Sequence, residues 1–267
     1  MENSNVLFAF LLTLFAGLAT GIGSLISFFT SRTNTKVLST SLGFSAGVMI
    51  YVSFIEIFPK ALYSLSLVYG EQKGYIITTI SFFGGMLISA LIDKLVPEFE
   101  NPHEIRLIEE KNNATDYSKL HRMGIFTAIA IAVHNFPEGL ATFIAALKDP
   151  SLGIATAVAI AIHNIPEGMS VSVPIFFATG SRKKAFFYSF LSGLAEPLGA
   201  LFGYFFFLRY FTDSTFGIIF AGVGGIMVFI SLDELLPSAE KFGEHHLAIY
   251  GLLAGMAVMA ASLILFS

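Results

Sequence analysis

Two stretches of this chain each place an imidazole and a carboxylate four residues apart. Residues 127–141 read TAIAIAVHNFPEGLA and residues 156–170 read TAVAIAIHNIPEGMS, identical at ten of 15 aligned positions with an offset of 29. Positions i and i+4 share one face of a helix, so His134 points with Glu138 and His163 points with Glu167. Two facing helices then offer two imidazoles and two carboxylates, enough to enclose one divalent metal. Asn135 and Asn164 are turned by about 100° from these ligands and can line an adjacent position. Pro137 and Pro166 each remove a backbone donor and free a carbonyl four residues back, at Val133 and Ile162. Helices broken in this way occur at membrane depth where their backbone lines a cavity. Gly139 and Gly168 allow close approach of a neighbouring helix.

The elements that carry these residues must be membrane spans. The chain of 267 residues is 55% hydrophobic and only 13% charged, with a mean hydropathy of +0.75. A soluble domain typically has about 25% charged residues. A net charge of -4 also argues against a nucleic-acid partner. The chain has no cysteine, which excludes disulfides, thiolate metal sites and cysteine nucleophiles. A spanning helix takes roughly 20 apolar residues. Eight segments qualify, at about 5–29, 37–59, 74–93, 123–147, 152–179, 185–208, 216–237 and 247–266. The expectation is an all-α integral membrane protein, a single transporter-sized domain over residues 1–267. The longest connection, residues 94–122, is polar and charged and reads as a solvated loop.

Orientation follows from the Lys/Arg count in the loops. Arg32, Lys36, Lys94, Arg106, Lys111, Lys119, Arg122, Arg182, Lys183, Lys184 and Lys241 lie on one side, against Lys60, Lys73, Lys148 and Arg209 on the other, 11 to 4. The first side is then cytoplasmic and both termini are outside, in the inner (plasma) membrane. The opening Met1-Glu2-Asn3-Ser4 lacks the cationic start of a cleaved signal peptide.

All the Lys/Arg residues lie in loops or at segment ends, but Glu56, Glu138, Glu167, Glu196, Asp233 and Glu234 sit inside apolar segments, with His134 and His163. An ionisable group at that depth costs at least about 2.5–3.5 kcal/mol. It must neutralise, pair or find a cation. The bland reading is a set of protonated acids bonded between helices. Against it stands a second repeat. Residues 47–61 (GVMIYVSFIEIFPKA) match residues 225–239 (GIMVFISLDELLPSA) at offset 178, with six identities that include Glu56/Glu234 and Pro59/Pro237. Both repeats pair spans of opposite direction, as in an inverted-repeat transporter. Spans 1–3 and 6–8 form the halves, and spans 4 and 5 form a central pair. His134, His163 and Glu196 fall near mid-span, which puts the cluster near the bilayer midplane. Glu56 and the Asp233/Glu234 pair then mark the two mouths of a cation path, or merely pack their proline-containing helix ends.

HNFPEG at 134–139, HNIPEG at 163–168, SGLAE at 192–196, SFIEIFP at 53–59 and SLDELLP at 231–237 resemble, in order and over essentially the whole chain, the motifs of the ZIP family of divalent-metal transporters. The resemblance implies an eight-helix fold in a three-two-three arrangement with a two-metal site between the central helices. By position, His134, Glu138, His163 and Glu167 would hold the first metal. Asn135, Asn164 and Glu196 would hold the second, bridged by Glu138 and Glu167. Many relatives carry a histidine-rich loop between spans 3 and 4, whereas this chain has only His103 there, with His121 at the loop end. His245-His246 is a weak accessory candidate. Homodimer formation is left open.

The function expected is import of divalent transition metals into the cytoplasm, the direction coming from the resemblance. Imidazole, carboxylate and amide ligands suit Zn²⁺ and also Fe²⁺, Mn²⁺, Co²⁺ or Cd²⁺ without singling one out. The rival is an intramembrane metal-dependent hydrolase, which needs an open water position and a general base. Its usual His-Glu-Xaa-Xaa-His motif is absent. A second rival is a channel rather than a carrier.

Overall fold

The structure is a computed structural model that describes residues 3–25, 29, 31, 34–95, 113–148, 150–207, 212–242 and 244–266. Among these residues it is an all-helical membrane bundle. Seven helices are long and apolar enough to cross a bilayer. The eighth span is the continuous 30-residue helix Pro150–Thr179.

Span 1 is Asn3–Gly23. Span 2 starts at Thr35, where the Asn34 side chain accepts from the Val37 N–H and so caps the first turn. It runs to Val52, through a π-helical turn at Ser53–Ile57, and on as Phe58–Tyr69. The apolar pattern of the sequence stops at Pro59, yet the helix continues ten residues past it. Lys60 is therefore on a helix and not in a loop. Span 3, Glu71–Leu95, turns back after Gly70, whose φ of 82° a side chain would disfavour. Span 4, Asn113–Lys148, absorbs the last part of the expected 94–122 loop. The first two residues of that loop belong to span 3, and residues 96–112, with His103, lie outside the described residues.

Span 5 follows span 4 almost at once, beginning at Pro150. Span 6 is interrupted: Arg182–Gly193 stops, Leu194 forms a turn, and Ala195–Phe202 resumes before a π-helical stretch at Gly203–Phe207. Span 7 is Asp213–Ile230, a π-helical turn at Ser231–Leu235, and Leu236–Phe242. Span 8 is His245–Phe266.

The expected helix breaks at Pro137 and Pro166 do not occur, since both helices run through them. The missing donors are tolerated because only one intrahelical bond is lost at each, and neighbouring helices hold the turn. The interruption falls instead in span 6, directly before Glu196-Pro197.

The offset-178 repeat is a repeat of backbone as well as of sequence. In both copies a serine hydroxyl donates to the carbonyl four residues back, Ser53 to Met49 (2.6 Å) and Ser231 to Met227 (2.8 Å). In both, the residue before the proline closes a wide turn, Phe58 N–H to the Ser53 carbonyl and Leu236 N–H to the Ser231 carbonyl. A proline ring clashes with the carbonyl four residues back, and the extra residue in the turn relieves that clash. Glu56 and Glu234 occupy equivalent places in these turns.

The helices pack into two groups that cut across the repeat. Span 2 packs on span 8, and span 3 on span 7 and the Phe58–Tyr69 half of span 2. Spans 1, 4, 5 and 6 pack on one another. The groups meet mainly where span 2 crosses span 5 and span 7 crosses span 4. At the first crossing the Ser45 hydroxyl donates to the Pro166 carbonyl at 2.6 Å.

Candidate metal centre

Spans 4 and 5 are an antiparallel hairpin, and their repeated motifs meet. His134 Nε2 lies 2.8 Å from Glu167 Oε1 on the other helix and 3.3 Å from Glu138 Oε2 on its own. His163 Nε2 lies 2.9 Å from Glu138 Oε1. Each imidazole thus faces the carboxylate of the opposite repeat, which is what a local two-fold relation between the copies produces. All four side chains are buried.

Ligand atoms of His134, His163 and Glu167 lie within 4.8 Å of one another. Zinc–ligand bonds of about 2.0–2.1 Å in a tetrahedron put neighbouring ligands about 3.4 Å apart. Small side-chain rotations close that difference. Glu138, one helical turn beyond His134, completes the ring with its two oxygens on the two histidines.

The second group sits beside the first. Asn164 Nδ2 donates to Glu196 Oε1, and to the Ala16 carbonyl at 2.8 Å. Asn135 Nδ2 reaches the Ser192 carbonyl at 3.3 Å. With its amide turned over, it donates instead to Glu167 Oε2 at 3.2 Å and the Ile131 carbonyl at 3.3 Å. That orientation links the two groups through Glu167. Asn164 Oδ1, Glu196 Oε2 and both histidine Nδ1 atoms are buried without a hydrogen-bond partner among the described residues. Leaving such an atom unsatisfied costs about 1–3 kcal/mol, and Asn164 Oδ1 and Glu196 Oε2 are both oxygen donors able to receive a cation.

The motif glycines explain how this packing is reached. A Cβ at Gly139 would run into the Glu196 carbonyl, and a Cβ at Gly168 into the Thr20 carbonyl. One repeat therefore seats on the Ala195–Phe202 segment of span 6 and the other on span 1. The stop at Leu194 places Glu196 in the first turn of a new helix, which brings its carboxylate to Asn164.

The other sequence candidates are not in the ring. Glu56 and Lys60 line a cavity of about 200 Å³ that reaches Glu138 and His163, with Val52, Thr156 and Phe220 among its walls. Asp233 is half-buried and Glu234 buried in the π-helical turn of span 7, which packs on span 2. His245 Nδ1 pairs with Glu240 at 3.0 Å on an exposed surface far along the chain from the ring. Sequence reasoning missed Lys60 and the stop at Leu194. Gly193 and Pro197 around Leu194 were the available signal for the second.

Comparison with known proteins fits this arrangement. The model of the ZIP zinc transporter family matches residues 97–263. The chain belongs to the ZIP family. It is 65% identical to a zinc transporter ZupT of Lysinibacillus sphaericus, over 98% of this chain and 99% of that one. It is 64% identical to a zinc transporter ZupT of Chlorobaculum parvum, over 99% of each chain. A zinc transporter ZupT of Clostridium perfringens is 63% identical over 98% of this chain and 97% of its own. ZIP membership makes this a transporter and not an enzyme, so the hydrolase alternative is not supported.

Proposed function

We propose that this ZIP protein is a single-domain carrier that brings divalent transition metals, zinc foremost, into the cytoplasm. The observation that carries the reading is the reciprocal ring of His134, Glu138, His163 and Glu167, buried between two antiparallel helices. A cation entering it replaces the imidazole–carboxylate contacts with metal bonds. Ligation requires neutral imidazoles and ionised carboxylates, so protons leave as the metal arrives.

A second metal is held by Asn135, Asn164 and Glu196, with Glu138 and Glu167 shared. The unpartnered oxygens of Asn164 and Glu196 support this reading. The same ligands accept Fe²⁺, Mn²⁺, Co²⁺ and Cd²⁺, so selectivity comes from geometry and metal supply. Metal arrives by the Glu56 mouth, on the external side, and leaves past Asp233 and Glu234. Both termini are external, and the membrane is the plasma membrane.

The test is uptake into sealed proteoliposomes with Zn, Fe, Mn, Co and Cd in competition. Saturable zinc uptake, depressed by the other ions, is expected. Uptake that does not saturate would point to a channel.

A further inference from the structure

Lys60 stands apart from the rest of the basic residues. Its Nζ lies 2.6 Å from Glu56 Oε1, one helical turn away, and the Lys60 side chain is 52% exposed against 17% for Glu56. Both line the cavity that ends at Glu138 and His163. A positive charge is thus held on the carboxylate at the mouth of a path for positive ions. The repeat does not reproduce it: the position equivalent to Lys60, at offset 178, is Ser238, which is buried. At that position the repeat has no counterpart to the Lys60 ammonium.

We propose that Lys60 is a tethered cation that occupies the Glu56 carboxylate until an incoming divalent metal displaces it, and that it thereby sets the affinity for metal at this mouth. The proposal rests on the carrier reading above. The long lysine stem lets the ammonium swing into solvent while its backbone stays in place. A singly charged, half-exposed ammonium on this carboxylate yields to a divalent ion. A monovalent ion offers the carboxylate no gain in charge and does not displace it.

The size of the effect follows from the fraction of time the latch is open. A partly exposed pair one helical turn apart is closed roughly one- to fivefold more often than open. Apparent affinity is the intrinsic affinity multiplied by the open fraction. Removing the ammonium should therefore lower KM about two- to sixfold.

The test measures initial Zn²⁺ uptake into proteoliposomes for the wild type, Lys60→Met, Lys60→Gln, Lys60→Arg, Glu56→Gln and Glu56→Gln with Lys60→Met. KM should fall in both neutral Lys60 variants and stay at the wild-type value in Lys60→Arg. In the Glu56→Gln background, Lys60→Met should leave KM unchanged, because there is no carboxylate to release. An unchanged or raised KM in both neutral variants overturns the proposal. So does an equal fall in the Glu56→Gln background, which would mean general repulsion and no latch. Absence of saturable uptake by the wild type would instead overturn the carrier reading.

Discussion

Replacing Glu138 by Gln is the sharpest test of the ring. Glu138 is 2% exposed, with one oxygen 2.9 Å from His163 and the other 3.3 Å from His134. The amide keeps the shape and removes the charge. At an effective dielectric of about 20, two unit charges about 4 Å apart interact by about 4 kcal/mol, and a divalent ion doubles this. Part of the loss is returned, because an amide oxygen still coordinates and a carboxylate no longer has to be dehydrated. If half is returned, about 4 kcal/mol remains, roughly a thousandfold in Kd. Glu167→Gln should behave alike, since the two positions are exchanged by the repeat. The assay is zinc binding to detergent-purified protein, together with uptake into proteoliposomes, after size-exclusion confirms a folded protein. Both variants should lose zinc binding by two to three orders of magnitude and lose nearly all uptake. Zinc affinity within tenfold of wild type in both would refute the ring as the binding site.

Three further outcomes are expected. Glu196→Gln should remove one bound ion per chain and leave one, whereas replacing His134 and His163 together by Ala should remove the other; metal counting by mass spectrometry reads both, and a stoichiometry unchanged from wild type in both variants would show the ligand assignment to be wrong. Gly139→Ala forces a methyl group into the Glu196 carbonyl, and overpacking of this kind costs about 1–3 kcal/mol; thermal unfolding should show a clear fall in Tm, and an unchanged Tm would deny the tight seat of span 4 on span 6. With no natural cysteine to interfere, Lys60→Cys should react with an impermeant thiol reagent only from outside and Glu240→Cys only from inside, and labelling of both from one side would overturn the orientation.

The fold and the ring were legible in the sequence for different reasons. Spans announce themselves by length and hydropathy, because the bilayer demands both. The ring was legible because its ligands fall four apart on two helices and are repeated, so helical periodicity alone brings each pair together. What periodicity cannot give is the partner on another helix. The crossing of His134 to Glu167 and His163 to Glu138, and the contact of Asn164 with Glu196, depend on how deeply the motif glycines let the helices approach. The π-helical turns at Ser53–Ile57 and Ser231–Leu235 escaped as well, although Pro59 and Pro237 mark where they end. The expected breaks at Pro137 and Pro166 failed because a single missing donor is cheaper to tolerate than an opened helix. Lys60 was misplaced because hydropathy falls at Pro59 while the helix does not stop.

The near-absence of a connection between spans 4 and 5 bears on how the site comes into being. His134 and Glu167 are 33 positions apart, and every member of the ring lies between them. Contacts this local form early, and a chain emerging from the ribosome assembles from its N-terminal side. The four ring residues are therefore all synthesised, on one helical hairpin that can seat on span 1, before Glu196 has been made. Span 6 arrives as the last wall and brings Glu196 to Asn164. During that interval the crossed pairing gives each of the four ionisable groups a partner within the hairpin itself.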